Sequence, residues 1–158
     1  MDAIPARPNP TLDVVRRLLL ALVLAAILGY VVELLLLEHY ESATQVIPLA
    51  VLALGLLSGA AAGWRPTAGA LRFFRGSMSL FLVAGLAGLV LHYRGNVEFE
   101  LEREPSLAGL DLFWEALHGA TPALAPGSMV QLGLLGLLFT YRHPALRTAR
   151  PADTSETR

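Results

Sequence analysis

Apolar residues run through this chain in long uninterrupted blocks rather than in the stripes of a soluble helix. Leu18 to Leu37 (LLLALVLAAILGYVVELLLL) holds twenty residues and one charge. At 1.5 Å per residue it makes about 30 Å of helix, the thickness of the hydrocarbon layer of a bilayer. A helix in a soluble core would carry a polar stripe, and this one has none. Three further blocks follow. Ile47 to Gly63, Gly76 to Leu91 and Leu124 to Tyr141 contain no charged side chain. The pattern predicts four membrane spans, over about 16–38, 46–63, 75–93 and 125–141. The last two are short enough to require little tilt or local thinning of the bilayer.

Between the third and fourth blocks the pattern changes. In NVEFELERE, Val97, Phe99 and Leu101 alternate with Glu98, Glu100, Glu102 and Glu104. Alternation with a period of two predicts a strand-like segment whose four glutamates share one face. A single strand leaves backbone groups unpaired and so calls for a partner. After Pro105, residues Leu107, Leu110, Phe113, Trp114 and Leu117 recur at helical spacing, while Asp111, Glu115 and His118 occupy another face. That pattern predicts an interfacial amphipathic helix, lying on the leaflet or on the bundle. The expected fold class is therefore all-α and integral to the membrane. It is a four-transmembrane-helix bundle with a small extracytoplasmic loop subdomain at 94–123, made of the strand-like segment and the amphipathic helix. Proline-rich 1–11 and polar 146–158 read as flexible tails.

The ends of the second block offer two starts. Ser42 and Gln45 have capping-box spacing, whereas Pro48 suits a first helical position. The first block is too long for a signal-peptide core and no A-x-A-like site follows it, so an uncleaved anchor is expected.

Composition strengthens the membrane reading: 54% of the 158 residues are apolar, above the usual share for soluble domains. Charge adds a direction. The chain has no lysine, and ten of its twelve arginines flank the blocks on one side, leaving Arg94 and Arg103 on the other. By the positive-inside rule both termini are cytoplasmic. The opposite side gathers Glu38, Glu41, the four glutamates of the strand-like row, Asp111 and Glu115, so a net charge of -1 conceals a charge asymmetry across the membrane. Arginine without lysine suggests GC-rich bacterial coding, hence a bacterial inner membrane. Absence of cysteine excludes disulfides, thiol catalysis and Cys-based metal sites.

Candidate chemistry is sparse. Glu33 is the one ionisable residue well inside a block, and such a residue is expected to face protein or water. With His92 and Gln131 at comparable depth it forms a candidate intramembrane polar site for a proton or cation; the alternative is a glutamate that pins helices together. Gly55, Gly59 and Gly63 make two overlapping G-x-x-x-G units, and Ala21, Ala25 and Gly29 make a parallel stripe on the first span. Small residues let membrane helices approach closely, so the two stripes could face each other within the chain, the alternative being the seam of a homo-oligomer. Asp111, Glu115 and His118, with His39 from the first loop, are weak metal candidates, since Glu-x-x-His spacing occurs once rather than twice. His39 and His92 lack a haem attachment motif, and no cofactor is expected. No nucleophile elbow, phosphate loop or basic aromatic patch is present, which leaves neither an enzyme signature nor a nucleic-acid partner. The expected function is that of a non-enzymatic accessory or structural membrane protein whose acidic outer face binds a partner protein, itself or cations. The alternative is a small oligomeric transporter or ion-conducting protein using Glu33.

Overall fold

A computed structural model describes residues 10–119, 121 and 126–147. The chain up to residue 9, the tail from 148 and the proline-containing break at 122–125 lie outside the described residues, together with what the sequence predicts for them. Six helices follow in order: α1 (Pro10–Leu36), α2 (Ala43–Trp64), α3 (Ala68–Arg103), α4 (Gly109–Leu117), α5 (Gly127–Thr140) and the short α6 (Pro144–Arg147). Among the described residues there is no strand.

Each boundary has a local cause. α1 closes in a Schellman-type turn, with His39 N–H donating to Leu34 O at 2.9 Å and Glu38 N–H to Leu35 O at 3.2 Å. That turn places Glu38 at φ 52°, a left-handed position that usually belongs to glycine. At the start of α2 the capping box prevails over Pro48: Ser42 N–H donates to Gln45 Oε1 at 2.9 Å, and Gln45 N–H to Ser42 Oγ at 3.4 Å. Pro48 lies inside the helix. Thr67 caps α3 by accepting from Ala70 N–H at 3.2 Å, and α3 ends immediately before Pro105.

Three helices, α1, α2 and α3, are long and apolar enough to cross a membrane, an all-helical arrangement compatible with a membrane bundle. Only 17 to 33% of their most apolar stretches is buried inside the chain. Leu22, Leu57 and Val83 are among the large apolar side chains left on the outside. Such faces suit lipid rather than water. The fourth predicted span is represented by α5, whose 14 residues make about 21 Å of helix, less than a hydrocarbon layer.

The strand-like segment is helical. α3 runs without interruption through Asn96–Glu102 to Arg103, 36 residues or about 54 Å. The four glutamates therefore do not form a row: Glu98, Glu102 and Glu104 are exposed, and Glu100 is buried. A helix satisfies its own backbone groups, whereas a lone strand at this place would satisfy none. No proline stands between Thr67 and Glu104 to stop propagation.

α3 is the central element and packs on α2, α4, α5 and α6, while α1 packs on α2 and α5. The core consists of Val23 and Ile27 of α1, Leu52 of α2, Leu71, Phe74, Met78 and Phe81 of α3, and Leu132 and Phe139 of α5. Phe74 and Phe139 meet edge to face, with centroids 5.7 Å apart. The predicted pairing of the two small-residue stripes does not occur. Ala21, Ala25 and Gly29 are exposed, and a Cβ added at Gly29 would meet nothing within 4 Å. α1 turns Leu20, Leu24 and Ile27 toward α2 instead. They fill the groove left by Gly63, Gly59 and Gly55, which also receives Phe74 and Phe81 of α3. Large side chains in a glycine groove fill space that small residues facing small residues would leave empty.

The closest backbone approach is between α3 and α5. A Cβ at Gly85 would stand 2.9 Å from both Pro126 O and Val130 N, and one at Gly133 would stand 2.8 Å from Met78 O. Gly136 opens onto the Met78 side chain in the same seam.

Candidate functional site

The end of the bundle that carries the α1–α2 turn and α4, the cap end, holds Asn96, Glu100, Arg103, His39, His92 and His118; the opposite, arginine end carries Arg16, Arg75 and Arg142. Of the three residues of the predicted intramembrane polar site, His92 lines a groove that the other two do not. Glu33 is exposed on α1 and does not point into the bundle; Gln131 is exposed on α5. The reason is the same for both: the inward faces of α1 and α5 are taken by Leu20, Val23, Ile27, Met129, Leu132 and Phe139. Periodicity from Gly29 correctly puts Glu33 on the small-residue stripe, but that stripe faces away from the protein.

His92 lines a groove of about 390 Å³ between the start of α2 and the cap-end half of α3. His39, Thr44, Gln45 and Thr121 stand with it, and Ile47, Pro48, Ala84 and Leu91 form the apolar part. The groove thus joins His39 and His92, which sequence spacing does not bring together. Neither Glu33 nor Gln131 lines it.

The weak metal candidates stay apart. Among the described residues no group of three or more His, Asp and Glu side chains is placed to hold a metal ion. His118 Nδ1 lies 2.9 Å from the Trp114 carbonyl of its own helix. Glu115 turns toward Arg103 at 3.9 Å, and Asp111 is exposed.

Sequence reasoning missed the polar clasp between α3 and α4. Asn96 is buried. Its amide nitrogen donates to Ala116 O at 2.9 Å and Thr121 O at 2.8 Å. Its amide oxygen accepts from Thr121 N–H at 3.0 Å and from Thr121 Oγ1 at 2.6 Å. One side chain thereby ties the C-terminal turn of α4 and the following loop to α3. Gly119 allows the approach, because a Cβ there would fall 2.7 Å from Asn96 Cγ. One turn along α3, the buried Glu100 carboxylate pairs with Arg103 at 2.7 Å. The available signal was polar rather than apolar: Tyr93, Asn96, Glu100 and Arg103 recur at helical spacing within the segment whose apolar residues alternate.

At the arginine end two guanidinium groups close the C-terminal end of α5. Arg75 Nε donates to Thr140 Oγ1 at 3.2 Å and its Nη2 to Thr140 O at 3.0 Å; Arg16 Nη2 donates to Arg142 O at 3.2 Å. Cations there complement the helix dipole. His143 sits beside them. Partial burial, and then the nearby Arg16 charge, hold its pKa below the ordinary 6.5, against a smaller upward pull from Asp13.

In chemical terms the groove joins two imidazoles, an amide and two hydroxyl side chains over an apolar floor, and the clasp is a structural network with its main hydrogen bonds made internally. No protein-family model, curated protein or solved structure matches this chain.

Proposed function

We propose that the protein is a structural or accessory subunit of a bacterial inner membrane, crossing it four times with both termini in the cytoplasm. On this reading the cap end faces outward. The exposed Glu98, Glu102, Glu104 and Asp111 give it an acidic surface for a partner protein, a second copy or cations. α5 serves as the fourth span, packed against α3 and α1.

The observation that carries this reading is the packed apolar centre. Val23, Ile27, Met78 and Phe81 are all fully buried inside the bundle, as are Leu71 and Phe74 nearer the arginine end. The buried hydroxyls there are closed on their own helices: Ser58 donates to Gly55 O, Ser77 to Phe73 O. A conducting path needs water and polar groups through the centre. Glu33, on the outside of α1, supplies neither.

Reconstitution into vesicles tests it. Proton and cation flux should not rise above that of empty vesicles, and Glu33→Gln should change nothing. A flux that disappears in Glu33→Gln would replace this reading with transport. Reversing the exposed glutamates to lysine should in turn release whatever copurifies in mild detergent while leaving the fold intact.

A further inference from the structure

Three contacts between α3 and α4 stand at three heights along α3. Lowest is Tyr93, whose ring lies 5.9 Å from that of Phe113. About 4.5 Å further along the axis Asn96 holds the Ala116 carbonyl. Roughly two turns above Tyr93, the Arg103 guanidinium folds back on Glu100 and reaches Glu115 at 3.9 Å. On α4 these contacts fall on different sides. Ala116 is buried toward α3, Phe113 lies on one flank and Glu115 on the other. The flank of Phe113 is thus turned down α3 toward its apolar stretch, and the flank of Glu115 is turned away from it.

Leu110 and Trp114 share the Phe113 side, within an arc of about 100°. All three are exposed, Leu110 at 75% and Trp114 at 54%. Phe113 and Trp114 also touch edge to face, with centroids 5.4 Å apart. Their level is fixed by Tyr93, which stands twenty positions along α3 from the exposed Phe73, about 30 Å, the thickness of the hydrocarbon layer. Tyrosine at such a boundary is the usual interfacial anchor. The apolar side of α4 is therefore continuous with the lipid-facing surface of α3.

We propose that α4 lies in the headgroup layer of the bilayer on the cap side, with Leu110, Phe113 and Trp114 inserted among the upper acyl chains. The inference rests on the membrane reading of the spans, and it makes the lipid surface, not a protein, the occupant of this face. It also sets where α3 leaves the membrane: at Tyr93, so that residues 94–103 stand some 15 Å into the outer compartment.

The two tryptophans test it in the full chain. Trp64→Phe leaves Trp114 as sole reporter; Trp114→Phe leaves Trp64, at the far end of α2. Each variant is placed at one copy per nanodisc of phosphatidylcholine, with and without brominated chains. Trp114 should lose about half of its emission to bromines near the headgroup and be protected from aqueous acrylamide. Emission from Trp114 that is insensitive to bromolipid but freely quenched by acrylamide, with Trp64 quenched by lipid, would overturn the inference and leave the spans standing. Protection of Trp114 from both quenchers would overturn it in favour of cover by protein. Insensitivity of both tryptophans to bromolipid would bring down the membrane reading and this inference together.

Discussion

Single residues in this protein do their work at helix ends. Glu38 occupies the left-handed position of the turn that closes α1, where a side chain costs free energy and glycine does not. Glu38→Gly is expected to raise stability by about 0.5–1 kcal/mol, read as a shift in the unfolding midpoint in detergent. His143 gives the arginine end a pH dependence. Its folded pKa lies below the unfolded 6.5, so above that value both states are neutral and the full stability is present. As pH falls through 6.5 toward the folded pKa, the unfolded chain takes up the proton more readily and stability is lost. Unfolding midpoints measured between pH 7.5 and 5 should fall in the native chain and fall less in His143→Gln. Asn96 concentrates four hydrogen bonds in one buried amide. Asn96→Ala removes all four bonds between α3 and the end of α4 with its following loop, at a cost of about 1–3 kcal/mol. Hydrogen exchange should show the loss confined to 109–121; uniform loss across the bundle would contradict a local clasp.

At the scale of elements, the α3–α5 seam is the least yielding of the glycine contacts, because Gly85 and Gly133 there face backbone atoms as well as side chains. A methyl at Gly85 cannot be relieved by a rotamer change at Pro126 O or Val130 N, whereas Gly29 faces open space. Gly85→Ala should destabilise by about 1–3 kcal/mol, and Gly29→Ala should be neutral or mildly stabilising. Equal effects at the two positions would mean that the α1 stripe is covered. Gly55 and Gly59 form an intermediate case, since the atoms in their way are the ends of Phe81 and Leu24 side chains, which have some freedom to move. The length of α3 follows from the same economy. Once its apolar turns are helical, adding residues 94–103 costs only propagation, and α4 supplies partners for the polar side chains that this extension would otherwise bury alone.

For the molecule as a whole, the distribution of charge and the thinness of the apolar core are two sides of one arrangement. A bundle that buries so little of its apolar surface depends on lipid to cover the rest. On the proposed topology, with both termini cytoplasmic, tags at the two ends of the chain should be protected from proteases added outside intact cells. Alkaline carbonate should leave the protein in the membrane fraction. Arginines at one end do more than set direction, because Arg16 and Arg75 also close the C-terminal end of α5. Removing both should loosen α5 and expose Thr140 and Phe139 to exchange and quenching from that side.

The sequence by itself determined the helices α1, α2 and α5, offered the capping box at Ser42 beside a start at Pro48, and determined the amphipathic helix α4 and the separation of arginine from glutamate. These depend on local terms: an apolar block of sufficient length, a side chain three residues from its partner, or a run free of proline. Only the tertiary structure decided which face of each helix is turned inward. Glu33 and the Ala21–Ala25–Gly29 stripe lie outside because Leu20, Leu24 and Ile27 fit the glycine groove of α2 better than small residues would. That is a matter of volume shared between two surfaces, which neither strand of sequence contains alone. The same holds for NVEFELERE. Its apolar alternation reads as a strand, but its polar spacing meets Ala116, Thr121 and Glu115 from further along the chain, and those contacts, with Asn96 buried among them, go with a helix.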